Sequence, residues 1–154
     1  MTNAESKRSK VIIVADHISP EHRSWNMQQI KAKDTKIEVQ VRSWLFSRGF
    51  RFRKNDKRYP GKPDIVLPKY KTVVFINGCF WHRHEGCRYA TVPKTRVEYW
   101  NEKFQRNIKN DLLHKQELES MGWKVITVWE CQLKKSNFIT TMETLEKMIK
   151  SQED

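Results

Sequence analysis

Residues 75–87, Phe-Ile-Asn-Gly-Cys-Phe-Trp-His-Arg-His-Glu-Gly-Cys, concentrate side chains that ligate metals, move protons or stack on flat rings. Cys79, His84 and Cys87 are spaced Cys-x4-His-x2-Cys, and the third cysteine of the chain, Cys131, lies far downstream, directly after the apolar run 123–129. If that run is a strand lying parallel beside residues 72–76, the two strand ends meet at one sheet edge. Cys131 then completes a Cys3His tetrahedron, a common structural zinc set. His82 is a rival ligand, because Cys79-x2-His82 is also acceptable, and spacing leaves the choice open. Gly78 and Gly86 supply the tight turns a knuckle needs. Four protein ligands close the site, so this Zn2+ is structural rather than catalytic.

A second chemistry needs oxygen. Asp64 follows Pro60-Gly61-Lys62-Pro63 and opens an apolar run, where packing explains a carboxylate poorly. Its functional use is to hold Mg2+ against a phosphate; the plainer use is a turn aspartate paired with Lys62 or Arg51. Glu38 fits a capping box, Thr35-Lys36-Ile37-Glu38, and His82 can act as general base or acid. Phe80 and Trp81 stand outside any regular strand. Rigid aromatics at a loop tip can wedge between base pairs, or they can cover the zinc site. Trp100 shares that ambiguity, since it also fits a helix core stripe.

These residues need a scaffold. Ser24 caps a short helix with Trp25, Met27 and Ile30, and a helix opened by Thr35 places Ile37, Val41 and Leu45 on one face up to Gly49. Phe50-Arg51-Phe52-Arg53 alternates as a strand. Residues 64–67 and 72–76 form two short strands across Pro68-Lys69-Tyr70-Lys71. A long helix spans about 96–121, with Trp100, Phe104, Ile108 and Leu112 repeating every four residues and Gly122 as its stop. Residues 123–129 form another core strand, and a final amphipathic helix carries Phe138, Met142, Leu145 and Met148. The order α, β-β-β, α, β, α reads as one α/β domain over 21–154 behind a flexible basic leader, 1–20.

The chain has 154 residues, with 30 Lys and Arg against 18 Asp and Glu, a net charge of +12. That excess favours a polyanionic partner through counterion release. The run 11–15 is too short for a signal core, and no segment reads as a membrane span. A cytoplasmic protein is expected, with cysteines reduced and free to bind metal. Metal, aromatics, a strand-borne aspartate and positive charge together point to an enzyme that cuts nucleic acid.

From Ser24 to Cys131 and beyond, the chain resembles the very-short-patch repair (Vsr-type) DNA mismatch endonucleases. The matching segments include Ser24–Ile30, Thr35–Glu38, Pro60–Asp64, Phe75–His82, Val92–Arg96 and Val128–Cys131; Gly-Cys-Phe-Trp-His with a later Trp-Glu-Cys is the specific combination. The resemblance implies a restriction-endonuclease-like (PD-(D/E)XK-type) single domain, with a central mixed sheet flanked by helices and a structural zinc site. It implies a monomer that nicks double-stranded DNA 5′ of the thymine in a T·G mismatch, with mismatch-repair proteins as candidate partners. Asp64 matches the aspartate ligand of catalytic Mg2+, Ile76 the position whose backbone carbonyl is a second ligand, His82 the general base and Glu38 an acidic helper. Cys79, His84, Cys87 and Cys131 match the Zn2+ ligands. Phe80, Trp81 and Trp100 match intercalating aromatics, and Met27 a residue inserted from the opposite groove. Asn77 departs from a histidine of the better-known member, and Arg83 and Glu85-Gly86 replace a histidine-rich stretch with one residue added before Cys87. The alternatives are a restriction-type endonuclease on matched DNA and a non-catalytic zinc-containing module that binds DNA structure.

Overall fold

The computed structural model describes residues 35–151. The leader, the Ser24-capped helix and Met27 lie outside the described residues. Helix α1 (Lys36–Ser47) is followed by β1 (Arg53–Lys54), β2 (Ile65–Leu67), a one-turn 3-10 helix (Pro68–Tyr70), β3 (Thr72–Asn77), α2 (Val97–Ser120), β4 (Lys124–Trp129), a second 3-10 turn (Glu130–Leu133) and α3 (Phe138–Lys150). Four strands form one mixed sheet in the order β1-β2-β3-β4. The first three are antiparallel neighbours, and β4 lies parallel to β3, ending in register at Asn77 opposite Trp129. Among the described residues no helix is long and apolar enough to cross a membrane.

Alternation along the strands builds two cores. Ile65, Leu67, Val74, Ile76, Ile126 and Val128 point to the face covered by α1 and α3, where they meet Val41, Leu45, Met142, Leu145 and Ile149. Val66 and Val73 point the other way, to Leu118 of α2 and to Trp123. Each fully buried aliphatic side chain contributes about 1.5–3 kcal/mol, so the larger first cluster carries most of the stability.

Helix boundaries follow local chemistry. Thr35 Oγ1 accepts from Glu38 N–H at 3.3 Å, which is the expected N-cap; the Glu38 side chain pairs with Arg42, 3.5 Å away and four residues on. Gly49 and Gly122 both take left-handed φ (91° and 90°) just past a helix end, and the next residue donates back to the helix: Phe50 to Leu45 O and Trp123 to Leu118 O, each at 3.0 Å. A side chain at either glycine would strain that turn.

Three expectations shift. The first strand begins at Arg53 rather than Phe50, because in this register Arg51 would face Pro68, which has no N–H and starts a turn. Phe50 is nonetheless buried and Arg51 exposed, as the alternation requires. On α3 it is Ile149, 1% exposed, that joins Met142 and Leu145 in the core, while Met148 is 44% exposed. On α2, Phe104 is buried, but Ile108 and Leu112 are 42% and 54% exposed. Four-residue steps drift by about 40° each on a 3.6-residue helix, so the stripe rotates off the core.

Candidate active site and metal centre

That rotation matters because α2 is seated at both of its ends. Leu118 seats its C-terminal end beside Val66, Val73 and Trp123, and Trp100 and Phe104 seat its N-terminal end against Phe80. Between them lies a cleft of about 1220 Å³, floored by Phe75, Asn77, Val125 and Thr127 and walled by Ile108 and Leu112. Asp64, Glu38, Ile76, His82 and Asp111 also line it.

Asp64 sits immediately before β2, and its Oδ2 accepts from the Ile76 N–H at 2.6 Å. The plainer alternative, a pair with Lys62 or Arg51, does not form; Arg51 instead lies over the Phe46 ring at 4.2 Å. Burial pushes the Asp64 carboxyl up from 3.8 to about 6; the Ile76 N–H opposes that rise, the charge of Glu38 adds to it, and Arg42 and His82 pull it back. A partly buried carboxylate next to another acid is a site a hard cation would relieve. Glu38 itself is 6% exposed.

His82 stands on the turn after β3, its backbone N–H donating to Gly78 O at 3.1 Å. Its Nδ1 lies 2.6 Å from Asp111 Oδ2. A carboxylate only accepts, so Nδ1 carries the hydrogen and the Nε2 lone pair is left to take a proton. Asp111 on α2 is a site residue that the sequence did not single out.

The sulfur cluster forms as the spacing predicts. One ligand atom from each of Cys79, His84, Cys87 and Cys131 comes within 4.8 Å of the others. His84 Nδ1 is 3.6 Å from Cys79 Sγ and 3.4 Å from Cys131 Sγ. A zinc tetrahedron with Zn–S about 2.3 Å and Zn–N about 2.0 Å requires S···N edges of about 3.5 Å, so the cluster fits a tetrahedral ion. His84 rather than His82 joins it, and its ring stacks on Trp129 at 4.2 Å and 6°. Burial pushes the Cys79 thiol up to about 12; only a bound cation makes a thiolate there favourable. The parallel β3–β4 pairing brings Cys131, in the turn after β4, to the cluster, and its N–H points at Cys79 Sγ at 3.4 Å.

Phe80 is the hub of an aromatic cluster. Its ring lies 5.1 Å from Trp81, 5.5 Å from Trp100 and 5.2 Å from Phe104, all edge-to-face. Trp81 is further held where its carbonyl accepts from Asn107 Nδ2 at 2.8 Å. The three expected aromatics therefore pack as one cluster beside the Cys/His cluster, and Phe104 and Asn107 extend it. Asn77 ends β3 in the same cleft.

The family model described as DNA mismatch endonuclease Vsr matches residues 15–88. The chain is 49% identical over 141 residues to the type II nicking enzyme V.NmeAIP of Neisseria meningitidis serogroup A, covering 92% of this chain and 99% of that one. It is 46% identical over 120 residues to the type II nicking enzyme V.XorIIP of Xanthomonas oryzae pv. oryzae, covering 78% and 88%. It is 40% identical over 126 residues to the DNA mismatch endonuclease Vsr of Escherichia coli K12, covering 82% and 80%.

Proposed function

The chain belongs to the Vsr family of DNA endonucleases, and from that premise we propose that it is a Mg2+-dependent nickase cutting 5′ of the thymine in T·G mismatches. The observation that carries the reading is the meeting of Asp64, Glu38 and the His82–Asp111 pair in one cleft, beside a rigid aromatic cluster on a sulfur-rich knuckle. Binding alone would need none of those acids or that oriented imidazole.

The Asp64 carboxylate and the Ile76 carbonyl would hold Mg2+, which supplies positive charge at the scissile phosphate. Cys79, His84, Cys87 and Cys131 would hold Zn2+, which ties the ends of β3 and β4 together. The basic surface grips the backbone without reading sequence. Phe80, Trp81 and Trp100, together with Met27 from the segment before α1, enter the stack at the mismatch. Unstacking a wobble pair costs less than opening a matched one, a difference on the order of a few kcal/mol that favours T·G. His82, held in the Nδ1–H form by Asp111, takes a proton on Nε2 from the attacking water. Glu38 and Asn77 orient polar groups near the phosphate. Such a substrate places the enzyme's work in the bacterial cytoplasm, as a monomer on cellular DNA, with mismatch-repair proteins as candidate partners.

Several relatives are named type II nicking enzymes, and Asn77 cannot relay a proton as a histidine would. Those two facts favour, as a second reading, a restriction-type endonuclease acting on matched sequence. Nicking of end-labelled duplexes carrying T·G, C·G or T·A at one position separates the readings: a cut confined to T·G supports the first, and a cut in C·G or T·A replaces it with the second.

A further inference from the structure

Arg83 occupies the residue between His82 and the metal-cluster His84, and its backbone takes a left-handed φ of 53°. For a long side chain that conformation is disfavoured, so something must hold it. The guanidinium does so at five points. One Nη donates to Phe80 O at 3.2 Å and to Thr91 O at 3.0 Å, and the other donates to Ala90 O at 3.0 Å. Its carbon lies 4.0 Å from the Phe104 ring centroid and 5.6 Å from that of Phe80. One side chain thus links the backbone and ring of the first wedge residue, the loop around residue 90 and helix α2. Three of its five N–H donors go to carbonyls of its own chain.

We infer that Arg83 is a positioning residue for the aromatic wedge: it locks Phe80 and Trp81 in one arrangement and so sets how strongly the enzyme prefers a weakened base pair. The inference rests on the reading of these aromatics as the DNA-opening wedge. The physical reason is preorganisation. A wedge held before contact loses no further freedom on insertion, whereas a loose one adapts to matched and mismatched steps alike. The fork geometry is essential, because planar bidentate donation and ring stacking belong to arginine and not to the point charge of lysine.

The test uses the full zinc-loaded chain and the variants Arg83→Lys and Arg83→Met. Amide hydrogen exchange across residues 79–92 is read first, since it needs no cleavage. Both variants are expected to exchange at least tenfold faster there, with zinc content unchanged. In nicking assays both are expected to lose at least tenfold of the T·G-over-matched preference, while the salt dependence of DNA binding keeps the wild-type slope. Arg83→Lys with wild-type preference, together with a salt slope lowered by about 1 in Arg83→Met, would make Arg83 a phosphate contact and overturn the inference. Unchanged exchange in both variants would overturn it as well. If the wild type does not nick T·G, the mismatch reading falls and the exchange result alone decides whether Arg83 fixes the loop; if Arg83→Met does not fold, Arg83→Lys decides.

Discussion

Asp64→Asn removes a charge that the fold holds at a cost. In the folded chain the carboxyl titrates at about 6 instead of 3.8, and at about 1.4 kcal/mol per pKa unit the ionised form is disfavoured by about 3 kcal/mol. The folded pKa is the higher one, so between pH 3.8 and about 6 the folded state holds a proton that the unfolded state has lost. Wild-type stability therefore falls as pH rises through that window and levels off above it. The asparagine oxygen can still accept from Ile76 N–H, and the repulsion from Glu38 is gone. Without divalent cations, zinc-loaded Asp64→Asn is expected to be more stable than wild type by about 2–3 kcal/mol at pH 8, a melting temperature higher by roughly 4–12 °C for a chain of this size. The gain should shrink towards zero near pH 4. Adding Mg2+ should raise the melting temperature of the wild type and leave the variant unmoved. Thermal melts by circular dichroism at several pH values measure this. A variant no more stable than wild type at pH 8, or equally stabilised at pH 4, would refute the account of Asp64 as a buried carboxylate awaiting a cation.

Activity should fall on the acid side as Asp64 takes up its proton near pH 6, and higher Mg2+ should move the midpoint lower because the ion competes for the same carboxylate; a midpoint indifferent to Mg2+ would assign that limb elsewhere. His82→Ala should lower kcat by about 10²–10⁴ with zinc retained, and Asp111→Asn by about tenfold or more with KM little changed, as single-turnover rates would report. Stripping zinc, or Cys131→Ser, should cost more than about 5 kcal/mol, enough to unfold a marginally stable domain; a cooperative melt surviving zinc removal would contradict a structural role.

What was legible in the sequence was mostly local or strand-bound. The cluster of Cys79, His84 and Cys87 lies within one loop, and Cys131 joins it through a parallel pairing that the two apolar runs allow but do not dictate. The helix starts and stops at Thr35, Gly49 and Gly122 are written in single residues. Asp111 was not legible, because an acid on a charged helix is ordinary until the fold brings His82 within 2.6 Å of it. Arg83 was visible only as a departure from a motif, since its acceptors are backbone carbonyls that sequence does not mark. The exposure of Ile108 and Leu112 follows from helix α2 spanning an open cleft, a tertiary fact that a four-residue repeat cannot carry.

The measurement that reaches furthest is strand-resolved mapping of the nick on a duplex with one T·G pair, with and without Mg2+, for the wild type and Asp64→Asn. One break is expected, 5′ of the mismatched thymine, dependent on Mg2+ and lost in Asp64→Asn. Cleavage of the C·G control at a comparable rate, or an unchanged nick from Asp64→Asn, would contradict it.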